Sequence, residues 1–349
     1  MLTVVGQTTS QLILDVDTGI DDALAILLAC ASPEVELVAV TCVSGNVDAR
    51  QVARNTLAVL DLAGRADVEV ALGREVPLVR PLRTAPETHG PEGIGYATLP
   101  ASSRALSERH AADVIIAEAR RRPGEVTLIT LGPLTNLAIA LQREPDLPRL
   151  LRRLVMMAGS YRSAGNTAPT TEWNVAIDPE AMQAVLDGWS AVESAPHPLA
   201  LGLDVTERAK LTPDHLAELH RSAGNPSDSA VLTFVDDALR FYMEFHSRYD
   251  GFYGAFLHDA LAVAAALHPG MVRSEAVRVE VELEGKWTTG ETVTDWRRQW
   301  GRPPNLDVAV EADITTFFER LIDRLARLAA ERAGLARAPE PWQAPPVPS

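Results

Sequence analysis

Four aspartates fall within eight residues near the amino end of the chain: Asp15, Asp17, Asp21 and Asp22, in LILDVDTGIDDALAILLA. An apolar run precedes them and another follows, which places the cluster where a buried strand meets a buried helix. Helix N-termini favour aspartate, and one or two of the four read equally well as ordinary caps. Four exceed what capping requires, and carboxylates packed this closely repel one another. A cation relieves the repulsion, and oxygen ligands of this kind suit Ca²⁺ or Mg²⁺. A second pair, His258-Asp259, opens the apolar run ALAVAAAL. It reads either as an N-cap beside a surface histidine, or as a carboxylate able to join a metal next to an imidazole able to protonate a leaving group.

A β–α alternation positions these residues. QLILDV (11–16), VELVAVTCV (35–43), VEVAL (68–72), EVTLITL (125–131), RLVMMAG (153–159) and PLALGLDV (198–205) read as strands. Helical patterns lie at 21–31, 48–63, 107–121, 134–142 and 179–187. The expected fold is α/β: an open, mainly parallel twisted sheet with helices on both faces. Beyond residue 205 come helices over 213–222, 227–248 and 258–267, a hairpin over 277–296 and an amphipathic helix over 313–333. One domain is expected over 1–335, followed by a disordered Pro-rich tail, 336–349.

Ligands of open parallel sheets bind beyond the carboxyl ends of the strands. Those ends deliver the Asp cluster, Ser44-Gly45-Asn46, Leu131-Gly132-Pro133 and Met157, and the segment after the fifth strand adds Asn166, Glu172 and Asn174. The predicted rim is rich in carboxylates and amides and holds no Lys or Arg. It suits a hydroxylated neutral ligand and a hard cation, not a phosphate.

The bulk composition agrees. A net charge of −15, from 47 acidic against 32 basic residues, argues against binding a nucleic-acid backbone. No stretch approaches the ~18 apolar residues of a membrane span. The start, MLTVVGQTTSQ, lacks the charged and long apolar regions of a signal peptide, so a cytoplasmic location is expected. Cys30 and Cys42 lie in apolar runs and read as reduced core thiols.

The Asp segment also resembles the amino-terminal fingerprint of the inosine–uridine-preferring nucleoside hydrolases, an Asp-x-Asp-x-x-x-Asp-Asp motif. VSGN (43–46), THGPEGIGY (88–96), LITLGPLTNLAIAL (128–141), LVMMAGSY (154–161), GNTAPTTEWNVAIDPEAM (165–182) and LHDALAVA (257–264) follow in the family's order, so the resemblance covers 11–330. It implies a Ca²⁺-dependent N-ribohydrolase (EC 3.2.2 type) that releases base and ribose from ribonucleosides, serves nucleoside salvage and forms a homodimer or homotetramer. By position, Asp17, Asp22, Asp259 and the Leu131 carbonyl are implied to ligate Ca²⁺, and Asp17 to take a proton from the attacking water. Asp21, Asn46 and Asn174 are implied to hold the ribose 2′- and 3′-hydroxyls, Asn166 and Glu172 the 5′ side, with Met157 against the sugar. His258 is implied to assist the departing base.

Some positions depart from the family pattern. Thr18 stands where many relatives have Pro, and Ala158 replaces a common Gly. One extra residue between Met157 and Asn166 is expected to shift the loop carrying Asn166. On the base side, His89, His246, Tyr249 and Tyr253 are candidates; the other histidines, His110, His197, His215, His220 and His268, are expected to face solvent. Two rivals were weighed. A haloacid-dehalogenase-like phosphatase wants Thr or Val where Gly19 stands, and a catalytic Lys that neither Lys210 nor Lys286 supplies convincingly. A non-catalytic Ca²⁺-dependent sugar- or nucleoside-binding protein of the same fold would be expected to lose the base or the acid, yet Asp17, Asp22, Asp259 and His258 are all present.

Overall fold

β1 (Ser10–Val16) is the apolar run before the aspartates, and its side chains divide by parity between two cores. Leu12, Leu14 and Val16 join one cluster and Ile13 the other, as the two-residue period of a strand requires. The computed structural model describes residues 9–334 apart from 194 and 227. The expectations for the first eight residues and for the 336–349 tail lie outside the described residues.

Strands β2 (Val35–Cys42), β3 (Glu69–Leu72), β4 (Val126–Thr130), β5 (Arg153–Met157) and β6 (Leu199–Leu201) follow in parallel. A short ribbon pairs β7 (Lys210–Leu211) with β8 (Ala255–Phe256). β9 (Val272–Val281), β10 (Thr292–Asp295) and β11 (Leu306–Ala312) complete a nine-stranded sheet in the order β10-β9-β11-β6-β5-β4-β1-β2-β3. The α/β expectation holds. Helices Ile20–Ala31, Ala49–Leu62, His258–Leu267 and Ile314–Arg332 contribute to one core. Ala111–Arg121, Thr135–Arg143 and Pro179–Ser190 contribute to the other. Among the described residues no helix is long and apolar enough to cross a membrane.

Some boundaries differ from the sequence reading. The 107–121 helix starts at Ala111, because the His110 imidazole caps it by accepting the Ala112 N–H at 3.1 Å, while Ser107 bridges to Ala71. The 198–205 strand ends at Leu201, and Leu203–Thr206 turns as a helix that carries Thr206 to His258. The hairpin forms, with Val281 opposite Thr292, but β11 enters beside it, antiparallel to β9 and parallel to β6. The five histidines expected in solvent are each half-buried and engaged. His197 and His220 meet Asp307 and Asp236, His215 bonds Thr212 and stacks on Phe318, and His268 meets Glu34. Both cysteines are free, and burial pushes their thiols up to about 12.

β1 is where the sheet order reverses: β2 and β3 build outward on one side, β4, β5 and β6 on the other. Such a switch point opens a crevice at the carboxyl ends of β1 and β4. One buried amide braces it. Asn136 donates to Asp15 Oδ1 (2.9 Å) and to the Cys42 carbonyl (3.1 Å), and its Oδ1 accepts the Arg74 N–H (2.9 Å). It therefore ties the ends of β1, β2 and β3 to the helix that follows β4. Asn136→Ala would remove three hydrogen bonds at once and is expected to cost about 3 kcal/mol in urea unfolding. A loss under about 1 kcal/mol would show the brace to be incidental.

Candidate active site

Helices Ile20–Ala31 and His258–Leu267 pack against each other, and both begin at the crevice. Alanines at positions such as 23, 25, 260 and 264 are buried along them and permit close approach. Their first turns carry Asp21 and Asp22 from one helix and Asp259 from the other. This packing closes the long sequence gap between the two motifs. One carboxylate oxygen from each of Asp21, Asp22 and Asp259 lies within 4.8 Å of the others.

Asp17 adjoins the group. Its Oδ2 accepts the Asn46 N–H at 2.8 Å, while its Oδ1 is buried with no partner in the protein. Asp22 is held by three donors: the Asp17 N–H (3.2 Å), the Gly19 N–H (2.9 Å) and the Asn46 side chain (3.2 Å). Burial, and then the charge of neighbouring carboxylates, raises Asp17 and Asp259 well above the usual carboxylate range, and Asp21 to about 8. Burial raises Asp22 as well. Behind them burial lifts Asp15 to about 7 against hydrogen bonds from Asn136 and Thr41, as befits a carboxyl that supports the loop. Four buried acids, one orphaned oxygen and no Lys or Arg among the lining residues fit a hard divalent cation.

The group borders a cavity of about 470 Å³. Asp17, Asp21, Asn46, His89, Leu131, Met157, Asn166, Glu172, Asn174, Tyr249, His258 and Asp259 all line it, and Asp22 stands behind them. The Asn174 amide donates to the Leu131 carbonyl (2.6 Å) and the Met157 carbonyl (3.0 Å), joining the ends of β4 and β5. Glu172 accepts from the backbone of Gly159, Asn174 and Val175, so it fixes this wall as well as lining it. Asn166, despite the longer loop, reaches the cavity and remains exposed.

The His258 ring meets Thr206 Oγ1 through Nδ1 at 2.8 Å. His89 Nδ1 accepts the Ile20 N–H at 3.1 Å, which assigns its proton to Nε2. Burial, then the charge His246 would carry, holds both rings down at about 3. His246 also lines the cavity; Tyr253 is half-exposed and does not. Residues the sequence reading missed include Tyr242, Phe245 and Phe256, with Glu207 and Asp250. A signal for two was present. Tyr242, Phe245, His246 and Tyr249 follow the i, i+3, i+4, i+7 spacing of one helix face.

Residues 12–319 match the family model for inosine-uridine preferring nucleoside hydrolase. The chain belongs to that family. It is 38% identical over 317 residues to the pyrimidine-specific ribonucleoside hydrolase RihA of an Enterobacter species, covering 90% of this chain and 97% of that one. It is 36% identical over 321 residues to the inosine-uridine preferring nucleoside hydrolase of Crithidia fasciculata, covering 91% and 98%. Among solved structures, the purine-preferring ribonucleoside hydrolase of Gardnerella vaginalis superposes with a TM-score of 0.85 at 31% identity, covering 92% of this chain and all of that one. The protein is thus a nucleoside hydrolase, an enzyme acting on N-glycosyl bonds.

Two glycines let this hydrolase seat Asp17. A Cβ on Gly45 would lie 2.1 Å from Asp17 Oδ2, and one on Gly132 would lie 2.8 Å from Oδ1. Gly45→Ala is expected to displace the carboxylate and cut kcat/KM by about 100-fold. Circular dichroism should remain native, and an unimpaired rate in the variant would mean that the Asp17 position is not critical.

Proposed function

We propose that this chain hydrolyses the N-glycosidic bond of neutral ribonucleosides to free base and ribose, with Ca²⁺ as cofactor. The observation carrying this reading is the make-up of one cavity. Carboxylates and amides come to it from strand ends, aromatic and imidazole rings from the Ala230–Tyr249 helix, and no Lys or Arg lines it. A sugar diol suits the first set, a flat base the second, and a phosphate neither. The relatives' names support the substrate class, and their differing bases leave only the ribonucleoside bond in common.

Asp17, Asp22, Asp259 and the Leu131 carbonyl would hold the ion, with Asp21 as a further carboxylate in the same group. When bound, a hard cation acidifies water and anchors a vicinal diol. The unpartnered Oδ1 of Asp17 takes the proton of the attacking water. As water adds to C1′ and the C1′–N bond breaks, the sugar gains oxocarbenium character, and the surrounding carboxylates stabilise its positive charge. The bond's electron pair leaves with the base, which His258, steadied by Thr206, assists by donating to the departing nitrogen. Asp21, Asn46 and Asn174 hold the 2′- and 3′-hydroxyls. Asn166 and Glu172 serve the 5′ side, with Met157 under the sugar.

A ribose-release assay on uridine, cytidine, inosine and adenosine tests this directly. Turnover is expected on at least one, with loss in a chelator and recovery on adding Ca²⁺. Binding of nucleosides with no turnover on any would instead identify a binding protein. Asp17→Asn should lower the rate by about 10³-fold, since ligand and base are lost together. His258→Ala should slow uridine about 100-fold more than p-nitrophenyl riboside, whose leaving group needs no assistance. Equal losses on both substrates would remove His258 from that role.

A further inference from the structure

Asp204 stands outside the cavity lining, on the single helical turn Leu203–Thr206 that follows β6. Its carboxylate accepts three successive backbone N–H groups from the neighbouring loop. Tyr161 donates to Oδ2 at 2.9 Å, and Arg162 and Ser163 donate to Oδ1 at 2.7 and 3.1 Å. Successive N–H groups turned toward one anion form a concave nest, and a carboxylate in it makes charge-assisted bonds. Among the described residues none of the three N–H groups has another acceptor. The turn that bears Asp204 is itself fixed. The Leu203 N–H donates to the Gly159 carbonyl at 3.0 Å, and the Thr206 hydroxyl meets His258.

The loop held in this way is stiff. The Ser160 hydroxyl is shared between the carbonyls of Ser163 (2.7 Å) and Ala164 (3.0 Å), which folds 160–164 into one unit. From the hairpin, Thr292 and Trp296 grip the carbonyls of Ser160 and Tyr161 at its start. Residues 162–164 are exposed, so no core packing holds that part in place. Two residues further on stands Asn166, whose Oδ1 accepts the Trp173 N–H at 2.9 Å. Its NH₂ group is left as a donor at the cavity.

We propose that Asp204 is a positioning residue: by holding residues 161–163 it sets the Asn166 amide against the 5′ side of the sugar. This rests on the nucleoside-hydrolase reading of the cavity. Without the carboxylate the three N–H groups turn to water, the 160–164 unit shifts, and Asn166 moves with it. A misplacement of about 1 Å at such a contact costs on the order of 100-fold in rate.

The test compares kcat/KM for the better of uridine and inosine with that for its 5′-deoxy analogue, which lacks only the 5′-hydroxyl. The wild type should prefer the hydroxylated substrate by about 100-fold, the worth of two hydrogen bonds, from Asn166 and Glu172. Asp204→Ala should reduce the preference to about tenfold through loss on the hydroxylated substrate alone. In Asp204→Asn the amide oxygen still accepts from Arg162 and Ser163, so an intermediate preference is expected. Once Asn166→Ala is present, adding Asp204→Ala should leave the preference where it is, because the two act through one contact. Equal losses on both substrates, with the preference intact, would show a merely structural role and overturn the proposal. Independent losses in the double variant, or a wild type indifferent to the 5′-hydroxyl, overturn it too. If the Ala variant fails to fold, Asp204→Asn decides. Failure of the wild type on every nucleoside would instead sink the hydrolase reading itself.

Discussion

Everything at the ligand end of this sheet answers to one electrostatic constraint: Asp17, Asp21, Asp22 and Asp259 are buried together without a basic side chain in the wall beside them. Carboxylates removed from water lose their hydration, and neighbours of like charge make the loss worse. The protein offsets part of this with backbone. Helix N-termini face the group, and N–H donors from residues 17, 19 and 46 reach Asp17 and Asp22. What remains unsatisfied, above all Asp17 Oδ1, is the capacity a hard cation requires.

Holding such a group demands rigidity, and the fold provides it at a point that topology leaves open. Where the order reverses at β1, the connections on its two sides diverge. The crevice is therefore exposed to ligand but also unsupported. Asn136 on one side and Asn174 on the other supply cross-bracing, each joining the ends of neighbouring strands. Asp15, buried behind the group, is the anchor of the first brace.

The strand-end half of the site was legible in the sequence because β-strand parity and the strand-to-helix transition place each residue unambiguously. Asp17, Asn46, Leu131 and Met157 follow from position alone. Asp259 was legible from the residues only as one of two readings, since its partnership with Asp22 depends on two alanine-rich helices packing together, which no local pattern reports. The metal-spaced trio also includes Asp21, which positional matching assigns to the ribose; its neighbour Asp22 projects from the same first turn, so sequence position alone does not part the two. β11 went unseen because it closely follows two prolines, and its place in the sheet is set by β6 and β9 rather than by its own residues. The half-buried histidines were misread for a similar reason: His197, His215, His220 and His268 meet partners distant in sequence, while His110 caps its own helix.

The aromatic half of the site obeys a different rule, and the difference matters for function. Ribose and the scissile bond are common to all nucleosides, and in the proposed reading the groups that meet them sit on strand ends braced by buried amides, where movement is costly. Bases differ. The rings at Tyr242, Phe245, His246 and Tyr249 line the cavity from one helix face, where a side chain can be exchanged without disturbing the sheet. A rigid frame for the bond and an exchangeable face for the base allow one reaction to be retained while its substrate changes.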